Sequence, residues 1–114
     1  MRRRTGGVVG AVLAVVLTGC VIDVMPSGPL LVNLWTDDVE LHVVGTDRVE
    51  AMPADDQGYV DVEECEGTAL RLQRGDDVLG EYEGALCPGM TVTVQEDGTV
   101  SVYDGEEWHT PAPG

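Results

Sequence analysis

The chain contains no lysine, no phenylalanine, one isoleucine (Ile22) and one asparagine (Asn33). All four residue types use AT-rich codons, so a GC-rich genome produces the bias without selection for function. The shortage of positive charge has a physical consequence. Six arginines stand against 21 acidic residues in 114, a formal charge of −15, and three of the six are Arg2, Arg3 and Arg4. Only Arg48, Arg71 and Arg74 follow them. A surface so poor in cations excludes nucleic acid as a partner, because binding phosphates needs a basic face. Direct adsorption to anionic lipid is excluded for the same reason. Acidity of this degree keeps a small domain soluble, which is reason enough for it.

Residues with catalytic chemistry are also scarce. After the first twenty residues the serines are Ser27 and Ser101 and the histidines are His42 and His109. None lies in a motif that pairs a nucleophile with a base, so no catalytic residue and no cofactor are assigned. Asp55, Gln57 and Gly58, with Glu64 further on, imitate a calcium loop. Placing Gly58 at its sixth position, however, puts Pro53 first, where an aspartate ligand is required. The acidic pairs Asp37-Asp38, Asp76-Asp77 and Glu106-Glu107 fall at turns or in the tail, where solvated charge is the default. No metal ligands are assigned; a divalent-cation-binding acidic surface is the alternative reading.

No apolar run reaches the roughly 20 residues that span a hydrocarbon core. The stretch Val8–Leu17 is uncharged, built of Val, Ala, Leu and Gly, and preceded by Arg2, Arg3 and Arg4. A positive start followed by a short apolar run has the layout of a secretory signal. It ends in Leu17-Thr18-Gly19-Cys20. These four residues resemble the bacterial lipobox, in which Leu, a small residue and Gly or Ala precede a cysteine. The resemblance covers the first twenty residues only. It implies that the Cys20 thiol receives a diacylglyceryl group and that a signal peptidase cuts just before it. Two acyl chains give a stable anchor where one is marginal. The resemblance therefore implies residence at the extracytoplasmic face of the cell membrane, held through lipid on Cys20.

Removal of residues 1–19 leaves 95 residues, three arginines and all 21 acidic residues, a formal charge of −18. This suffices for one small domain. Residues 20–29, with Pro26, Ser27, Gly28 and Pro29, read as a lipidated cysteine and a tether of about 30 Å at most. Cys65 and Cys87 then remain for each other as a disulfide, the usual fate of two cysteines in a small exported domain.

Residues 30–104 read as an all-β domain, a small antiparallel sandwich or partly open barrel. Leu31–Thr36 is an apolar segment around Trp35, which is expected in the core. Val39, Leu41 and Val43 alternate with Glu40 and His42, the period of a half-buried strand. Arg48–Met52 is a weaker run. Val60 and Val62 alternate with Tyr59, Asp61 and Glu63. Leu70 and Leu72 lead through a Gly75-Asp76-Asp77 turn into Val78–Tyr82.

The last hairpin allows a register. A three-residue Glu96-Asp97-Gly98 loop pairs Val94 with Val100 and Val92 with Val102, with Thr and Ser outward. Gly98 then takes the left-handed position of a G1 bulge. Residues 105–114, rich in Gly and Pro, read as a flexible tail holding Trp108. The functional expectation is a non-enzymatic binding or accessory domain of the cell envelope. An aromatic patch around Tyr59, Tyr82, Tyr103 or Trp108 is its expected mark.

Overall fold

A computed structural model describes residues 28–113. The lipobox residues Leu17, Thr18, Gly19 and Cys20 lie outside the described residues. Nine strands follow one another: β1 (Leu30–Asn33), β2 (Val39–Val44), β3 (Val49–Met52), β4 (Asp56–Tyr59), β5 (Ala69–Arg74), β6 (Asp77–Tyr82), β7 (Thr91–Val94), β8 (Val100–Tyr103) and β9 (Trp108–His109). They form a five-stranded sheet in the order β9-β8-β7-β1-β4 and a four-stranded sheet in the order β3-β2-β5-β6. The all-β sandwich is thus as the alternation predicts. One ladder departs from the antiparallel expectation, because β1 runs parallel to β7. Local alternation carries no information about which distant strand is the neighbour.

Period-2 patterning places the core. Leu31, Val92, Val94, Val100 and Val102 from one sheet meet Val39, Leu41, Val43, Leu70, Leu72 and Met52 from the other. Val60, Val62, Leu86 and Met90 fill the ends. The β7–β8 hairpin has the expected register, with Val94 opposite Val100 and Val92 opposite Val102. Gln95 N donates to the Thr99 carbonyl at 2.7 Å, and Gly98 has φ +87°. A side chain at Gly98 would also stand 3.0 Å from the Trp35 ring.

Thr93, expected outward, is on the outer face but buried. β7 lies mid-sheet, and Val32 and Ser101 flank Thr93 across the two neighbouring ladders. Trp35 is half-buried rather than central: it packs on the core from one end, with the Arg74 guanidinium 4.9 Å above its ring.

Two segments differ from expectation. Val60 and Val62 are buried but belong to no strand; the strand is Asp56–Tyr59 just before them. The last rung of the β1–β4 ladder is Val60 N donating to the Pro29 carbonyl. Val62 N then turns back to the Val60 carbonyl, ending the extended run. Residues 105–114 are not wholly a tail, because Trp108 and His109 pair with Tyr103 and Val102 as β9.

Cys65 and Cys87 are bonded, with Cα atoms 4.1 Å apart. Next to them Glu66 and Leu86 exchange two backbone hydrogen bonds of 2.9 and 2.8 Å. The bridge therefore staples the open end of the β5–β6 hairpin. Closing a loop of 22 residues in sequence contributes roughly 3 kcal/mol through lost chain entropy in the unfolded state.

Candidate functional site

The turn between β8 and β9 is built on one carboxylate. Asp104 Oδ1 accepts the backbone N–H groups of Glu106 (2.8 Å) and Glu107 (2.9 Å), and Oδ2 pairs with His109 Nε2 at 2.7 Å. Aspartate bonding to the backbone two residues on is a recurrent way of closing a turn. The Glu107 N–H, the His109 ring and the Glu106 N–H together hold the Asp104 carboxyl at about 2, below its usual value of 3.8. Tyr103 O–H adds a bond to the Gly105 carbonyl.

This turn decides where the aromatic rings go. Trp108 pairs with Tyr103, so both stand on one face of the sheet, ring centres 5.3 Å apart. Trp108 remains 56% exposed there. His109 pairs with Val102, whose side chain is buried, so its ring turns toward the gap between sheets and lies 5.5 Å from that of Tyr82. The expected aromatic patch is therefore divided. Tyr103 and Trp108 come together, Tyr82 faces the other side of β9, and Tyr59, 55% exposed, stands on the opposite edge strand β4.

Charge is distributed with equal economy. Arg48 bonds Glu66 (2.8 Å) and Glu50 (2.7 Å), Arg71 bonds Glu81 (3.3 Å), and Arg74 bonds Asp37 (2.8 Å) and Asp77 (3.2 Å). Every arginine of the described residues is thus engaged by carboxylate. Asp37 and Asp77, expected as solvated turn charges, hold Arg74 over Trp35, while the Asp38 carboxylate accepts the Ala54 N–H. Ser27 lies outside the described residues, and Ser101, His42 and His109 are dispersed. Ser101 Oγ accepts from Gln95 Nε2, His42 contacts Glu40 on the other sheet, and His109 belongs to the Asp104 turn.

One grouping of metal-ligand type occurs among the described residues: atoms of Asp104, Glu107 and His109 lie within 4.8 Å of one another. Asp104 already accepts three hydrogen bonds there, which makes the grouping first of all a clamp on β9. Of the residues that imitate a calcium loop, Gln57 and Gly58 lie on edge strand β4 and Asp55 in the turn before it.

Two polar residues that organise this architecture were not legible as such. Asn33, between Val32 and Leu34, is 1% exposed. Its Nδ2 donates to the carbonyls of Asp37 (2.9 Å) and Met52 (2.8 Å), and its Oδ1 accepts from Trp35 N (2.9 Å). Its position at the inward parity of an apolar strand is the only signal. Asp104 had a clearer one, an aspartate immediately before Gly105 at the end of a strand.

No protein family, curated protein or solved structure matches this chain. Among the described residues no helix is long and apolar enough to cross a membrane.

Proposed function

We propose that this protein is a lipid-anchored domain of the extracytoplasmic membrane face, acting as a non-enzymatic binding or accessory module. The observation that carries the reading is Leu17-Thr18-Gly19-Cys20 placed after Arg2–Arg4 and Val8–Leu17. The Cys65–Cys87 bond supports it from an independent direction, because disulfides persist in oxidising, extracytoplasmic compartments. The tether from Cys20 to Gly28 would keep the sandwich within about 30 Å of the bilayer. The exposed Trp108 and Tyr59, with half-buried Tyr103 beside Trp108, supply contact surface of the kind that interfaces use.

Fractionation of expressing cells tests the anchor. The wild-type chain should sediment with membranes, and Cys20→Ala should release it into the soluble fraction with the Cys65–Cys87 bond intact. A variant that stayed with the membranes would overturn the reading.

A second reading, divalent-cation binding, draws on the Asp104–Glu107–His109 grouping. It is the lesser one, because Asp104 is already engaged in the turn. Calorimetry with calcium and zinc, compared between wild type and His109→Ala, separates the two.

A further inference from the structure

The gap between the two sheets is covered on one side and open on the other. On the covered side, His109 packs against Tyr82, and the Ala112 carbonyl lies 3.7 Å from where a side chain at Gly80 would stand. On the other side the outermost strands are β3 and β4. Between them is a cleft of about 110 Å³, lined by Leu31, Glu50, Met52, Asp56, Gly58 and Tyr59 among others.

Hydrogen-bond alternation fixes what β4 offers to a partner. Leu30 N donates to the Met90 carbonyl and Leu34 N to that of Val94, so the even-numbered residues of β1 bond toward β7. Leu31 and Asn33 therefore bond toward β4, where Gly58 and Asp56 are their partners. Gln57 and Tyr59, one step out of phase, aim their N–H and C=O groups away from the sheet. Those groups have no backbone partner among the described residues.

Gly58 is not required by the fold. Its φ is not positive, and a side chain placed there would meet nothing within 4 Å. Glycine in a strand weakens it, and one without a conformational reason marks a place where another chain or a ligand comes close. Here the missing side chain keeps the inner face of β4 open beside Leu31.

Charge selects the occupant. Asp55, Asp56 and Asp61 have no ion-pair partner among the described residues, and Glu50 shares Arg48 with Glu66. A second copy would bring the same acidic edge and be repelled. We propose that this cleft docks an extended segment of a second protein carrying lysine or arginine at alternate positions, added as a strand along β4. Gln57 and Tyr59 give it main-chain hydrogen bonds, the usual source of affinity in strand addition. Its basic side chains lie over Gly58 and reach Asp56 and Glu50. This deepens the binding reading above and does not depend on the lipid.

The full chain, purified in non-ionic detergent, is titrated with a short acetylated peptide of alternating lysine and valine, and with its glutamate–valine counterpart. NMR should show saturable shifts centred on Gln57 and Tyr59, with their amides protected from exchange, for the lysine peptide only. Gly58→Val fills the cleft and should weaken binding by about tenfold or more without lowering the melting temperature. Glu50→Gln with Asp56→Asn should weaken it too, which covers the case of a poorly folding valine variant. Shifts spread evenly over the acidic surface and unchanged by Gly58→Val would overturn the proposal. So would concentration-dependent shifts at β4 without peptide, which would make the occupant a second copy. Loss of the membrane anchor alone would leave these results untouched.

Discussion

At the scale of single residues, the fold depends on polar groups that composition makes look incidental. Asn33 is the one asparagine in the chain, and it ties the end of β1 to the carbonyl of Met52 in the other sheet. Replacing it with alanine removes one hydrogen bond from each of two carbonyls and one N–H near the core. Asn33→Ala should cost on the order of 3 kcal/mol, read from the midpoint of denaturant unfolding. Asn33→Asp should be at least as harmful, since it sets a carboxylate oxygen against the Asp37 and Met52 carbonyls. These partners lie four and 19 residues away, so nothing local in the sequence could announce the role. Only the inward parity of the position hinted at it.

Asp104 is a second such residue, and it carries a pH dependence. Its carboxyl is held at about 2 by the Glu107 N–H, the His109 ring and the Glu106 N–H, below the ordinary 3.8. A depressed folded value means the group stabilises fully above the ordinary carboxylate range and loses its effect as pH falls through about 2. Acid titration followed by NMR should therefore show β9 detaching late, with the Trp108 indole signal moving as Asp104 protonates. Asp104→Asn, which removes the charge, should show the detached spectrum already at neutral pH. An unchanged Trp108 signal in that variant would mean that pairing with β8 alone holds the strand.

At the scale of elements, legibility depended on whether local constraints agreed. In the β7–β8 hairpin, alternation on both arms, loop length and Gly98 all pointed to one register, and that register is the one observed. β4 offered no such agreement. Asp56-Gln57-Gly58-Tyr59 has no apolar alternation, all four residues are exposed, and backbone bonds to β1 hold it in place. The valines that suggested a strand, Val60 and Val62, are buried by the same alternation, one at the last rung of the ladder and one beyond it. The parallel β1–β7 pair was illegible for a different reason: roughly sixty residues separate its strands, and closing a loop of that length leaves no local trace.

The disulfide belongs to this scale too, since it closes the β5–β6 hairpin beside the Glu66–Leu86 bridge. Replacing Cys65 and Cys87 together by alanine should lower stability by roughly 3 kcal/mol and the melting temperature by roughly 10–20 °C. Calorimetry of the double variant checks this. A shift of only a degree or two would assign the stapling to the backbone bridge.

At the scale of the whole molecule, loss of residues 1–19 would leave a domain with a formal charge of −18, which an anionic envelope would repel and the lipid proposed on Cys20 would hold in place. The sandwich supplies a rigid body, with an aromatic pair at the β8–β9 end and an open cleft between β3 and β4. The mature amino terminus is the most direct point of test. Intact-mass measurement of the protein extracted from membranes should show a chain that begins at Cys20 and carries a diacylglyceryl group there, with or without a further acyl chain. A mature chain beginning at any other residue, or an unmodified Cys20, would contradict the account.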